Sequence, residues 1–133
     1  MRDTVATWHA AVATNDPTRL DELLADDAVF HSPVVHTPQR GKALTTMYLS
    51  AAMGVFSSSE FRYVREVVGA NDAVLEFTAT IDGIQLNGVD MIHWNEDGQI
   101  DDFKVMIRPL KAVNLLHRMM AATLEQFSAA KAG

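Results

Sequence analysis

The chain has 133 residues, a formal net charge of −6 and no cysteine. That length suits one domain and is short for two, so a single domain over residues 1–133 is expected. The charge disfavours nucleic acid and anionic membranes as partners, and the missing cysteines exclude disulfides, thiol nucleophiles and zinc–thiolate sites.

No apolar run reaches the roughly 18 residues that a membrane span requires. The N-terminal stretch MRDTVATWHA lacks the apolar core and cleavage site of a secretory signal. With cysteine absent as well, a cytoplasmic location is expected. An apolar share of 48% is too high for a disordered chain.

In chain order, Thr4 to Ala13 has helical spacing, with Val5, Trp8, His9 and Val12 on one face. Asn15-Asp16-Pro17 breaks it. Asp16 is placed to cap a second helix with Pro17 at its first position, where a missing N–H costs nothing. Leu20, Leu23 and Leu24 form that helix's inner stripe, which ends at Asp26-Asp27. Ala28 to Ser32 reads as a short strand stopped by Pro33, and Pro33 to Gly41 as a loop. Lys42 to Met53 returns to helical spacing through Leu44, Met47, Tyr48 and Ala51, and Ser57-Ser58-Ser59 links it to the second half.

The period then changes. Glu60 to Val68 is rich in β-branched and aromatic residues. Ala73 to Asp82 alternates, with Ala73, Leu75, Phe77, Ala79 and Ile81 on one face. Asp82-Gly83 signals a hairpin. Ile84 to Trp94 and Ile100 to Arg108 are further strands, joined through the turn Asn95 to Gly98. Leu110 to Phe127 is a last amphipathic helix with Val113, Leu116, Met120, Leu124 and Phe127 on its stripe, and Ser128 to Gly133 is expected to fray. Helices followed by a meander give an α+β class, with helices on one face of an antiparallel sheet.

One residue breaks its face. From Ile84 to Trp94 the even positions are Ile84, Leu86, Gly88, Asp90, Ile92 and Trp94. A carboxyl on an apolar wall finds donors or holds its proton, and such groups concentrate at functional sites. The structural alternatives are a pair with Arg108 or Arg62, or a bulge at Gly88 that turns Asp90 to solvent. His93 lies on the opposite face, packed or exposed.

His31 and His36 flank Pro33 without forming a metal-ligand pattern, so the expectation is no metal and, for one of them, a role as base. Trp8 and Tyr48 sit on helix faces whose polar handles need partners. Ser32 lacks the context of a nucleophile, and the seven glycines form no phosphate loop, so no cofactor is expected.

The run Leu23 to Phe30, then Ser32-Pro33, then Gly41-Lys42 before a helix resembles the nuclear transport factor 2-like superfamily. So does Asn87-Gly88-Val89-Asp90 leading into Trp94 to Ile100. The nearest branches are SnoaL-like polyketide cyclases and ketosteroid isomerases, and the similarity spans about Trp8 to Arg108. The resemblance implies a cone-shaped, curved, antiparallel-rich sheet closed by N-terminal helices round an internal apolar pocket, here with an extra C-terminal helix. It implies a homodimer. It also places Asp90 where ketosteroid isomerases keep a protonated aspartic acid, a carboxyl whose pKa an apolar site raises. By the same resemblance, Trp8 falls near an oxyanion-hole tyrosine and Tyr48 matches a supporting one. Ser32 stands where the isomerase has its general-base aspartate, so His36 or His31 would have to serve.

The expected catalytic set is therefore Asp90, His36 and His31, and the expected ligand-binding set is Trp8, Ser32, Tyr48, Trp94 and Arg108. The expected activity is binding of a small apolar carbonyl compound, with isomerisation, cyclisation or hydration as its acid–base chemistry. A non-catalytic binding protein and a structural dimer of the same fold are the alternatives.

Overall fold

The computed structural model describes residues 3–57 and 60–132. Its elements are α1 (Thr4–Thr14), a single 3-10 turn (Pro17–Arg19), α2 (Leu20–Leu23), β1 (Leu24–His31), β2 (Gln39–Arg40), α3 (Lys42–Phe56), β3 (Arg62–Val68), β4 (Asp72–Ile81), β5 (Ile84–Trp94), β6 (Ile100–Arg108) and α4 (Leu110–Ala132). The six strands form one sheet in the order β2-β1-β6-β5-β4-β3, antiparallel except where β1 runs parallel to β6. Helices and a curved, mostly antiparallel sheet make this the α+β cone expected from the sequence, with a C-terminal helix added.

Local chemistry explains most boundaries. Asp3 caps α1 by accepting from the Ala6 amide, and Asp16 accepts from the Thr18 amide at the 3-10 turn, with Pro17 in its first position. Asp82 and Gly83 both have positive φ, 51° and 76°, the geometry of a two-residue I′ hairpin whose twist matches the strands it joins. The alternation of β4 is realised in full: Ala73, Leu75, Phe77, Ala79 and Ile81 are all buried.

Several expectations need correction. Leu24 is buried but belongs to β1, and the strand runs through Asp26-Asp27. The pairing of β1 with β6 shifts register between Leu24 and Val29, and that irregularity lets two exposed aspartates sit inside a strand. The loop after Pro33 contains β2, which pairs back onto Val29 and Phe30. In α3 the buried residues are Thr45, Leu49, Ala51, Met53 and Val55, while Leu44 is exposed. The stripe is shifted because α3 packs on β1, and Thr45 hydroxyl donates to the Ala28 carbonyl there. The last helix continues to Ala132, since Ser-Ala-Ala-Lys-Ala contains no breaker and Ala is the strongest helix former. Ser58, Ser59 and the Phe127 side chain lie outside the described residues.

The core has two parts. Trp8, Leu20, Leu23, Phe30, Leu75 and Phe103 surround one, between the N-terminal helices and the sheet. Phe77, Ile81, Leu86, Leu115 and Leu116 build the other, under α4. The apolar stripe of α4 is thus satisfied within the chain, through Ala112, Leu115 and Leu116 in place of the more peripheral Val113 and Leu124. Among the described residues no helix is long and apolar enough to cross a membrane.

Candidate functional site

A cavity of about 410 Å³ opens between the two core regions. Phe30 of β1, Phe77 of β4 and Phe103, Val105 and Ile107 of β6 supply its sheet wall, and Leu49, Met53, Leu116 and Met120 face them from α3 and α4. Exposed Asn15, Ser57 and Glu60 stand at its solvent side. Three polar groups lie deeper: Trp8, Tyr63 and Asp90.

Their connection follows from sheet register. Asp90 pairs with Leu75, and Tyr63 pairs with Phe77, whose partner on β5 is Gly88. Tyr63 and Asp90 therefore project from the same inner face, one step apart along the strands. Tyr63 hydroxyl donates to Asp90 Oδ2 at 2.6 Å, and Trp8 Nε1 donates to the Tyr63 hydroxyl oxygen at 2.9 Å. The result is a one-way chain of donors, indole to phenol to carboxyl. Asp90 is 5% exposed. Among the described residues its second oxygen, Oδ1, has no hydrogen-bond partner, and Asp90 lines the cavity.

Burial sets the electrostatics. Removal from water pushes the Asp90 carboxyl up to about 7, against the opposing pull of the Tyr63 hydrogen bond. Burial, followed by the adjacent Asp90 charge, pushes Tyr63 upward as well, so the phenol keeps its proton. A carboxyl that titrates near neutrality offers Oδ1 as a donor when protonated and as an acceptor or base when ionised. The two structural alternatives for Asp90 are not realised. Its partner is Tyr63, not an arginine, and β4 and β5 pair without a shift from Asp72 to Ile81.

The structure brings Trp8, Ser32 and Asp90 of the expected set to the cavity. Ser32 Oγ accepts from the Val34 amide and so fixes the turn after β1. The remaining five lie elsewhere. Strand alternation turns His31 to the outer face, where its Nε2 lies 2.9 Å from Asp102 Oδ1. His36 is exposed in the following loop. Tyr48 stacks on Phe30 behind the wall, at 5.5 Å between centroids. Trp94 packs into the core below the cavity. Arg108 Nε donates to Asn87 Oδ1 on the outer face. The described cavity lining thus holds no histidine, lysine or arginine.

Tyr63 is the site residue that sequence reasoning missed. The register shift between Tyr63 and Arg65 disrupts the alternation of β3, and most of that strand is exposed. The available signal was chemical: of two tyrosines in the chain, this one stands in the strand region facing a misplaced carboxyl. Replacing Tyr63 by Phe removes the bond that holds Asp90 down and leaves the Trp8 indole without its acceptor. The expected outcome is a loss of about 1–2 kcal/mol in urea unfolding and an Asp90 midpoint above the wild-type value.

Residues 5–103 match the SnoaL-like domain, and the chain belongs to that family. A crystal structure of a steroid delta-isomerase from Pseudomonas aeruginosa is 38% identical, with a TM-score of 0.89 over 95% of this chain and 92% of that one. An uncharacterised bacterial protein with a cystatin-like fold from Silicibacter pomeroyi is 36% identical, with a TM-score of 0.84 over 92% and 85%. The epoxide hydrolase/cyclase-like enzyme SalBIII, from pyran ring formation in salinomycin, is 17% identical with a TM-score of 0.64 over 80% and 88%, a likeness of fold alone. No curated protein matches in sequence.

Proposed function

We propose that this protein binds a compact, largely apolar carbonyl compound, with the carbonyl oxygen on protonated Asp90. The single observation that supports this reading is the buried carboxyl that gives one oxygen to Tyr63 and keeps the other for the cavity. In an apolar enclosure a neutral acid donor is worth more than in water, because nothing else there solvates the carbonyl. The volume suits a ligand of drug-like size. The likeness to a steroid delta-isomerase makes steroid ketones the first compounds to try.

The test is the pH dependence of affinity, followed through the fluorescence of Trp8 in the cavity wall. The expected affinity for a ketone is constant below pH 6 and falls toward tenfold per pH unit above pH 7, as Asp90 loses its proton. Asp90→Asn keeps a neutral donor, and its affinity is expected to stay level over that range. A wild-type profile that is flat from pH 5 to 9 overturns the assignment.

Turnover is the second reading, favoured by the same 38% identity to an isomerase. Enolisation needs a base beside the acid. The polar lining offers Ser32 and, at the rim, Glu60. An unassisted serine hydroxyl does not remove a carbon-bound proton near neutral pH. We therefore expect binding without rapid turnover in the native chain. Exchange of a ketone's α-protons in D₂O, followed by NMR, checks this: Ser32→Asp is expected to speed exchange by about 100-fold or more, the usual contribution of a placed base. Equally fast exchange by the native chain would establish turnover instead.

A further inference from the structure

A second concavity, a groove of about 940 Å³, lies where the β4–β5 hairpin and the start of α4 meet. Cross-strand partners share a face, so the register identifies its floor. Arg62, Thr78, Asn87 and Arg108 stand in one row across β3, β4, β5 and β6, on the face opposite Asp90. Thr80 and Gln85 form the next pair toward the hairpin, and Lys111 borders the row from the first turn of α4. Three cations thus line the groove against one carboxylate, Glu60, in a chain whose net charge is −6. Among the described residues no carboxylate lies within ion-pair distance of Arg62, Arg108 or Lys111.

Arg108 is held in position. Asn87 Nδ2 donates to Glu76 Oε2 and to the Phe77 carbonyl, both at 3.0 Å, which fixes the amide. Its oxygen then receives Arg108 Nε at 3.0 Å. The guanidinium therefore leans over β5 toward Thr78, and its terminal amines are left for a ligand. Arg62 stands on the other side of Thr78. Three strand spacings, about 14 Å, separate the two arginine backbones, a span that two long side chains close from opposite ends. The Thr78 hydroxyl lies between them and can donate to the same anion.

We propose that this groove binds a small sugar phosphate, with the phosphate group between Arg62 and Arg108. Two guanidinium forks match the oxygens of a phosphate group, and Lys111 adds a point charge at its side. Side chains build this seat, so it needs no glycine loop. The groove is far larger than one phosphate. Thr80 and Gln85 extend its polar lining and offer hydroxyl and amide groups to a hydroxylated body. Polymers and surfaces that carry the same phosphate chemistry, nucleic acid and anionic membrane, meet the net negative charge of the whole chain. A small ligand meets chiefly the cations within about one Debye length, roughly 10 Å.

Amide chemical-shift mapping of the native chain with ribose 5-phosphate, ribose and inorganic phosphate tests this. Ribose 5-phosphate is expected to move the signals of Thr78, Gln85 and Arg108 and to saturate below about 5 mM, while ribose moves none. Inorganic phosphate is expected to bind at least about threefold more weakly, since it leaves Thr80 and Gln85 unused. Arg62 and Arg108 are exposed, so their replacement leaves the core intact. Arg62→Gln and Arg108→Gln are each expected to weaken the ester about tenfold. Lys104→Gln removes the same charge from outside the groove and is expected to change affinity less than about twofold. No saturation by about 20 mM ribose 5-phosphate overturns the site. A loss in Lys104→Gln equal to that in Arg108→Gln overturns its location. Inorganic phosphate that binds as tightly as the ester overturns the ligand class.

Discussion

Asp90→Asn is expected to stabilise the protein at pH 8 and to leave it unchanged near pH 4. The folded carboxyl is raised to about 7, while in the unfolded chain it has the ordinary value near 4. Between those values the folded state binds more protons than the unfolded one, so stability falls as pH rises through the window and stays reduced above it. Asparagine carries no charge to bury and still offers an oxygen to the Tyr63 hydroxyl. The gap between variant and wild type should be near zero below pH 4, open through pH 4–7 and level off at an amount on the order of 4 kcal/mol. Urea unfolding at pH 4, 6 and 8 measures it. A variant destabilised equally at all three would mean that Asp90 is an ordinary structural ion.

Gly88→Ala carries the second large effect, with the opposite sign. Gly88 lies on the inner face of β5 between Leu86 and Asp90. An added Cβ would fall 2.6 Å from Phe77 Cζ and 2.7 Å from the Met106 carbonyl oxygen. The ring could turn, but the oxygen belongs to the neighbouring strand and shifts only with the sheet. Overpacking of this kind costs about 1–3 kcal/mol, of which alanine's better backbone entropy returns only about 0.5. A net loss of about 2 kcal/mol in urea unfolding is expected. Phe77 also forms cavity wall, so ligand affinity should fall by about tenfold, the equivalent of roughly 1.4 kcal/mol. An alanine variant as stable as wild type would show that Gly88 is not the clearance on which Phe77 depends.

The two residues explain each other. The missing side chain of Gly88 lets Phe77 lie against the backbone, and Phe77 and Asp90 line the same cavity. A misplaced carboxyl two positions from a glycine on an apolar face is the sequence trace of this arrangement. It was legible because strand alternation is a short-range rule, and β4 and β5 obey it without a shift. Two of the three irregular registers, in β1 and in β3, mark places where the sequence misled: Asp26-Asp27 read as a helix end, and Tyr63 went unassigned. The meander and the last helix follow from periodicity, and the cone from the family resemblance. Which tyrosine completes the site does not, because Tyr63 and Asp90 are 27 residues apart and meet only through β4. The histidines misled for a simpler reason. Proximity to Pro33 put them near the site in sequence, but alternation turns His31 outward and the loop leaves His36 in solvent.

Asp90 combines burial, a pKa raised to about 7 and one oxygen open to the cavity. The most direct test is a carboxyl ¹³C NMR titration of Asp90, assigned by the loss of its signal in Asp90→Asn. The expected midpoint is about 7. A carboxyl that stays ionised down to pH 5 would contradict it.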